Sequence, residues 1–200
     1  MLWENKQALV VADLHLGKIT HFRKSGIAVP ASVEIENYDR LSTLILEHKP
    51  LSVLILGDLF HSDHNSQWLV FEGFLKKFSA IQFHLIMGNH DILNITNYDH
   101  ENLSVHSEVF KWGNIAMTHH PTVFKECYNL SGHIHPGVKI IGKGKQSMRL
   151  PCFYFSENQC VLPAFGAFTG LFVMDIKETD EVYGIIENEV IPLRIENYGL

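Results

Sequence analysis

Residues able to bind metal ions recur at the ends of five short apolar segments in this sequence of 200 residues. The segments are rich in Val, Ile and Leu, which is typical of buried β-strands. The blocks that follow them are Asp13-Leu14-His15, Gly57-Asp58, Gly88-Asn89-His90-Asp91, His119-His120 and Gly132-His133-Ile134-His135. Carboxylate oxygen, amide oxygen and imidazole nitrogen suit divalent Mn, Fe or Zn, and no block contains a cysteine that would favour a softer metal. The pattern therefore predicts metal chemistry.

The blocks supply more ligands than a single ion needs. Seven candidates are present, namely Asp13, His15, Asp58, Asn89, His119, His133 and His135. One metal takes three or four protein ligands, whereas seven suffice for two metals if one carboxylate bridges them. Two ions about 3.5–4 Å apart can activate a shared water and stabilise the attacking and leaving oxygens of a phosphoryl transfer. We therefore expect two divalent ions, with Mn²⁺ preferred and Fe or Zn as alternatives.

Strands and helices must position these blocks. Strands are predicted at Ala8–Ala12, Leu51–Leu56, Ile81–Met87, Ile115–Met117, a segment ending at Leu130, Phe153–Phe155, Cys160–Leu162, Leu171–Met174, Val182–Ile186 and Val190–Leu193. Apolar periodicity predicts one helix from a Ser32 N-cap through Ile45, and another after Asn65 that includes Trp68 to Phe78. Because ligands bind at the carboxyl ends of strands in open α/β sheets, we expect the five blocks to converge there.

The order of elements favours two sheets covered by helices over one parallel sheet, because the strand spacing tightens after residue 150 as in hairpins. The expected fold class is therefore α/β (α+β), a four-layer sandwich of two mixed β-sheets flanked by helices. The length, with no internal repeat or linker, predicts one domain spanning residues 1–200.

Composition limits the classes of function. Sixteen Lys and Arg against 22 Asp and Glu give a net charge of −6, which argues against coating nucleic acid by bulk positive charge. A nuclease remains compatible, because bound divalent ions add local positive charge. Three cysteines without a CxxC pair predict a reducing, cytoplasmic setting. No apolar run reaches the ~18 residues of a membrane span, and the start is too polar for a secretory signal.

One basic stretch departs from the acidic average. Residues 136–149 contain Lys139, Lys143, Lys145 and Arg149 and no Asp or Glu. Two interpretations are open, a solvated hairpin or a loop that faces phosphate groups.

The five blocks, in this order, resemble the calcineurin-like metallophosphoesterases, and the resemblance is strong over residues 8–135. It implies that family's double sheet sandwiched by helices. It also implies that Asp13, His15, Asp58 and His135 hold one metal, while Asp58, Asn89, His119 and His133 hold the other. His119 and His120 are adjacent, and strand alternation predicts that they point to opposite faces, so that one of them binds metal. Family order favours His119.

Further motifs are similar to a bacterial subgroup, the ligase-associated DNA damage response endonucleases (PdeM). They are Val11–Lys18 with Phe22-Arg23, Gly57–Ser62, Gly132–Gly137, Arg149–Phe153 and Leu162–Gly166. The resemblance implies a DNA endonuclease of DNA repair, with a metal-bridging hydroxide as nucleophile. It also implies association with an ATP-dependent DNA ligase, a helicase and an exonuclease.

Two residues of the third block are the candidate catalytic residues. His90 follows a ligand at the tip of a turn, where it could protonate the leaving oxygen or stabilise charge on the phosphate. Asp91 could orient His90 by accepting its second N–H, or it could cap the turn. Arg23, Lys143, Lys145 and Arg149 are the candidate phosphate contacts, and a structural ion pair is the alternative for the two arginines.

Two other functions fit the same blocks. One is a small-molecule phosphoesterase acting on cyclic nucleotides or phosphomonoesters. The other is a non-catalytic interaction scaffold, which the intact metal blocks disfavour because a scaffold has no need to keep them.

Overall fold

The computed structural model describes residues 1–18, 26, 32–60, 65–93, 98–142, 144, 146–167, 169–187 and 189–194. Within these ranges the chain forms two β-sheets and two α-helices. The fold class expected from the sequence, an α/β protein with two mixed sheets, is confirmed.

The first sheet contains the strands that precede the first three metal-type blocks. Its strands, in spatial order, are β1 (Leu2–Trp3), β2 (Ala8–Ala12), β3 (Ser52–Leu56), β4 (Gln82–Ile86) and β5 (Leu103–His106). All neighbours from β2 to β5 are parallel, and β1 pairs antiparallel with β2. The register places Ala12 beside Leu56 and Leu56 beside Ile86, so the carboxyl ends of β2, β3 and β4 are level.

The second sheet contains the strands that precede the last two blocks. Along the chain they are β6 (Val109–Trp112), β7 (Ile115–Thr118), β8 (Tyr128–Ser131), β9 (Pro136–Ile141), β10 (Ser147–Phe155), β11 (Gln159–Val161), β12 (Phe172–Val173), β13 (Glu181–Ile186) and β14 (Glu189–Leu193). The spatial order is β12-β9-β10-β11-β8-β7-β6, and β13 and β14 continue from β10. The pairs β7–β8, β8–β11 and β9–β12 are parallel, whereas the others are antiparallel.

Both helices among the described residues pack on one face of the first sheet. They are α1 (Ser32–His48) and α2 (Asn65–Lys77), close to the predicted bounds. Leu41 and Ile45 of α1 and Phe71 and Leu75 of α2 join a core with alternate residues of β2, β3 and β4. This packing holds the central parallel strands rigidly, because each is buried on both faces.

The two sheets pack on each other through a second apolar cluster. Ala12 and Leu56 face Met117, Leu130 and Cys160 across this interface. A third cluster covers the opposite face of the second sheet. Its members include Val138, Leu150 and Cys152, with Met174 and Ile176 from the segment between β12 and β13 packed against them. Among the described residues, this face is therefore covered by irregular chain, while the helices lie on the first sheet.

The basic stretch forms a hairpin, as the first of its two interpretations predicted. β9 and β10 pair antiparallel from Gly137 beside Pro151 to Ile141 beside Ser147. The strands that the sequence did not predict are β1, β5, β6 and β9.

Candidate metal centre

Five strands deliver the five blocks to one edge of the sandwich. The first three blocks follow the level ends of β2, β3 and β4, and the last two follow β7 and β8 in the neighbouring sheet. The turns after β2 and β3 continue to pair, since His15 N–H donates to the Asp58 carbonyl at 2.9 Å and Leu16 N–H to that of Leu59 at 2.8 Å. These backbone bonds hold Asp13, His15 and Asp58 in a fixed relation.

The backbone is in the left-handed region at five of the seven expected ligands. The φ values are 54° at Asp13, 48° at His15, 49° at Asp58, 68° at His133 and 52° at His135. Each such residue costs of order 1–3 kcal/mol, and strain of this kind collects at functional sites because the surrounding fold must enforce it. The concentration of strain on one edge therefore identifies this edge as functional independently of the residue types.

Two glycines make room for the ligands. A Cβ atom at Gly88 would collide with the backbone nitrogen and carboxylate of Asp58, and one at Gly57, whose φ is 78°, would collide with the His119 ring. The glycines that precede Asp58 and Asn89 are therefore required by close approach as well as by the turns.

One group of ligands is formed by Asp13, His15 and His135, whose ligand atoms all lie within 4.8 Å of one another. The Nε2 atoms of His15 and His135 are 3.3 Å apart, and His135 Nε2 is 3.6 Å from Asp13 Oδ1. The Asp13 carboxylate also accepts the backbone N–H of His133, at 3.1 and 2.9 Å to its two oxygens. Asp13 is thereby oriented toward the histidines.

A second group is centred on the His119 ring, which is 2% exposed. His119 Nδ1 lies 3.1 Å from the Leu56 carbonyl oxygen, which can only accept, so Nδ1 holds the proton and Nε2 presents a lone pair. His119 Nε2 lies 3.0 Å from Asn89 Oδ1, 3.0 Å from His133 Nδ1 and 3.5 Å from Asp58 Oδ1. Acceptor atoms this close repel one another unless a cation lies among them, so the donor set fits a metal ion.

Asp58 lies between the two groups. Its Oδ1 is 3.5 Å from His119 Nε2, and its Oδ2 is 3.8 Å from His15 Nε2. One carboxylate oxygen thus faces each group, which is the arrangement that a bridging ligand requires. All seven residues expected to bind metal are brought to this edge.

His120 lies closer to the site than expected. Strand alternation predicted that the rings of His119 and His120 would point to opposite faces, and this was wrong because β7 ends at Thr118. The His133 ring centroid is 4.8 Å from that of His119 and 3.9 Å from that of His120. Ligand atoms of all three lie within 4.8 Å, with His120 exposed. Burial, then the neighbouring His120 and His119, lowers the pKa of His133.

The two candidate catalytic residues have different surroundings. His90 is half-buried, its ring centroid is 5.7 Å from that of His15, and its backbone N–H donates to Asp58 Oδ1 at 3.0 Å. The Asp91 carboxylate is buried and accepts the backbone N–H groups of Gly88 at 2.8 Å and Phe60 at 3.2 Å. These are the contacts of the turn-capping alternative for Asp91. Burial raises the pKa of its carboxyl to about 7, although the backbone donors oppose the shift.

Lys18 is a site residue that the sequence reasoning missed. It is half-buried, and the charges of Asp58 and Asp13 partly oppose the lowering of its pKa by burial, so its ammonium group lies in their field. Its position in the chain could have revealed it, since it comes directly after the turn at Gly17 that ends the first block.

The candidate phosphate contacts are placed only in part. Arg23, Lys143 and Lys145 lie outside the described residues. Arg149 is exposed on β10, directly opposite Lys139 of β9.

A cavity of about 430 Å³ opens beside His119 and His120, and its walls include Met87, Val109 and Phe124. This volume is in the range of small-molecule sites and could hold part of a substrate next to the ligand groups. Neither described helix is long and apolar enough to cross a membrane.

Comparisons with known proteins agree with this geometry. A family model described as calcineurin-like phosphoesterase matches residues 7–157. Among solved structures, the chain is similar to the crystal structure of Pseudomonas putida nuclease MPE, with a TM-score of 0.77 and 29% identity, covering 96% of this chain and 90% of that one. It is also similar to Yfce, a phosphoesterase from E. coli, with a TM-score of 0.47 and 11% identity over 94% of this chain and 98% of that one. No curated protein sequence matches this chain significantly.

Proposed function

Because this chain belongs to the calcineurin-like phosphoesterase family, it is a metal-dependent phosphoester hydrolase, and we propose that it uses two divalent ions to cleave phosphodiesters in DNA. The observation that carries the binuclear part is the Asp58 carboxylate, one oxygen of which faces each ligand group. A mononuclear site would need no acidic group between two sets of histidines.

The residues divide between the two ions as the resemblance implies. Asp13, His15, Asp58 and His135 would hold one ion, and Asp58, Asn89, His119 and His133 would hold the other. When bound, the ions supply Lewis acidity, which lowers the pKa of a shared water and neutralises charge on the phosphate. Mn²⁺ is the proposed metal, with Fe or Zn as alternatives, because all donors are oxygen or imidazole nitrogen.

The chain itself contributes orientation and a proton. Asp58 positions the third block, since its carboxylate accepts the N–H of His90. His90 stands half-buried beside His15, where its ring can protonate the leaving oxygen or stabilise negative charge that develops on the phosphate. Asp91 holds the turn beneath it by accepting two backbone N–H groups.

A nucleic-acid substrate is supported by two observations. The structural neighbour that matches 96% of this chain at 29% identity is named a nuclease. In addition, the basic hairpin β9–β10 begins directly after the ligand His135, so its charges adjoin the metal edge. The proposal includes a cytoplasmic role in DNA repair beside an ATP-dependent DNA ligase, a helicase and an exonuclease, which rests on the motif resemblance alone.

A substrate panel tests this proposal. Protein stripped of metal is reloaded with each divalent ion and assayed on single-stranded DNA, duplex DNA, a chromogenic phosphodiester, a cyclic nucleotide and a phosphomonoester. We expect cleavage of DNA and of the chromogenic diester, restored best by Mn²⁺. Cleavage of a closed single-stranded circle would establish endonucleolytic action, because a circle offers no end. Activity confined to the cyclic nucleotide or the phosphomonoester would overturn the DNA proposal in favour of a small-molecule phosphoesterase.

A further inference from the structure

The hairpin formed by β9 and β10 projects beyond the edge that holds the metal-type residues. β9 is parallel to β11, which is parallel to β8, because β10 pairs antiparallel with both β9 and β11. β8 ends at Ser131 and β9 starts at Pro136, directly after His135, and runs in the same direction. The strand therefore starts at the ligands and leads away from the sandwich past them.

Two cations lie side by side on this projecting hairpin. Lys139 and Arg149 are directly opposite in the register, and both are exposed. Directly opposed residues of an antiparallel pair share one face, with Cβ atoms about 4.5–5.5 Å apart. That face is set by their neighbours. Val138 and Leu150 turn into the cluster on the far side of the sheet, whereas Phe153, on the same face as Arg149, packs toward the first sheet.

The pair needs an anion that the described chain does not supply. Like charges placed directly opposite destabilise a hairpin, and neither cation forms an ion pair with a side chain in the described ranges. A phosphate group with its several oxygens can accept from an ammonium and a guanidinium at once and would remove this repulsion.

We propose that Lys139 and Arg149 together bind a backbone phosphate of the nucleic-acid substrate, away from the phosphodiester that is cleaved. The inference rests on the proposed function and deepens it. Four residues of β9 separate Lys139 from His135, a span of about 13 Å. With phosphates following one another at about 3.4 Å of rise or more per nucleotide, the contacted phosphate lies about two to four nucleotides from the cleaved one. This contact selects a polymer over a mononucleotide.

The test removes the two charges without changing side-chain length greatly. The variant carries Lys139→Gln and Arg149→Gln, and the matched control carries Lys76→Gln and Lys77→Gln at the exposed end of α2, on the helix layer. The substrate is a single-stranded oligodeoxynucleotide, and each protein is loaded with the metal that supports activity. Metal content and the far-ultraviolet circular dichroism spectrum verify folding.

Two readouts are diagnostic. The KM for the oligonucleotide should rise about tenfold in the hairpin variant with a small change in kcat, and the slope of log(kcat/KM) against log salt should flatten by about 1.4, or 0.7 for each lost contact with a single strand. A series of oligonucleotides with one neutral methylphosphonate each should show wild-type cleavage impaired by a substitution two to four nucleotides from the cut. The same substitution should have no further effect on the hairpin variant.

An unchanged KM and salt slope in the hairpin variant would overturn the inference, as would a response equal to that of the α2 control. Failure of the proposed function looks different, because wild-type protein would then cleave the chromogenic diester but no oligonucleotide.

Discussion

Replacing the bridging carboxylate should remove both metal ions at once. In Asp58→Asn one oxygen and its acceptance of the His90 N–H can remain, and asparagine tolerates the left-handed φ of 49° better than alanine would. The second oxygen, which faces His15 Nε2 at 3.8 Å, becomes an amide nitrogen or is turned away. Each ligand group therefore loses an anionic donor or gains an amide, and metal analysis by mass spectrometry should fall from about two equivalents to well below one.

The size of the effect can be followed by thermal unfolding. An ion present at about 100 times its Kd stabilises the folded state by about 2.7 kcal/mol, so two ions contribute about 5 kcal/mol. For a chain of this length, each kcal/mol shifts Tm by about 2–4 °C, which predicts a metal-induced rise of about 10–20 °C. In Asp58→Asn the rise should shrink to a few degrees.

The metal-free proteins should differ in the opposite direction. Ligand atoms of Asp13 and Asp58 lie within 4.8 Å of each other, and two charges at that distance repel by about 3 kcal/mol at an effective dielectric constant of 20. Removing one charge should therefore raise the Tm of the metal-free variant above that of metal-free wild type. Asp39→Asn, at an exposed position of α1, removes the same charge elsewhere and should leave both the metal content and the metal-induced rise intact. Retention of one full equivalent in Asp58→Asn would refute the bridging role.

Three further changes separate the other roles. His90→Asn should keep both metals but slow DNA cleavage by about 10²–10⁴-fold, with a smaller loss on a nitrophenyl diester whose leaving group needs little protonation; equal losses on the two substrates would exclude the acid role. His119→Ala should lower the metal content, whereas His120→Ala should not, since the exposed ring lacks the carbonyl contact that prepares His119 Nε2; a matching loss in both variants would make His120 a ligand. The double variant Lys143→Glu and Lys145→Glu should lower the ratio of DNA cleavage to chromogenic diester hydrolysis and flatten the salt dependence. A parallel fall of both activities would assign these lysines a structural role.

The central strands were predictable because burial on both faces writes them as continuous apolar runs. Ala8–Ala12 is buried at every position, as is Ser52–Leu56, and both lie where the sequence placed them to within a residue. β5 and β6 were missed for the converse reason. Leu103–His106 and Val109–Trp112 are only partly buried and contain polar residues, so neither an unbroken run nor a turn signal marks them.

The candidate site was predictable in its residues and less so in its geometry. Residue types at strand ends were enough to select the seven candidates, because parallel strands must bring their carboxyl ends together. The position of His120 depended on where β7 stops, and a shift of one residue decides to which face a side chain points. The surroundings of Asp91 depended on the Phe60 N–H, which is 31 residues away in sequence and reaches the carboxylate only in the folded chain.

The strained backbone explains why metal binding and local folding should form one equilibrium. Five ligands hold left-handed φ values, at a cost of order 1–3 kcal/mol each, and their carboxylates and imidazoles present mutually repelling lone pairs. The pairing of the turns after β2 and β3 opposes this cost through the backbone, and the packing of Gly57 on His119 and of Gly88 on Asp58 opposes it through the absence of side chains. Divalent ions would remove the repulsion and leave only the backbone cost. We therefore expect the segments after β2, β3 and β8 to gain the largest protection from hydrogen exchange on metal addition, while α1 and α2, whose cohesion comes from apolar packing, change little.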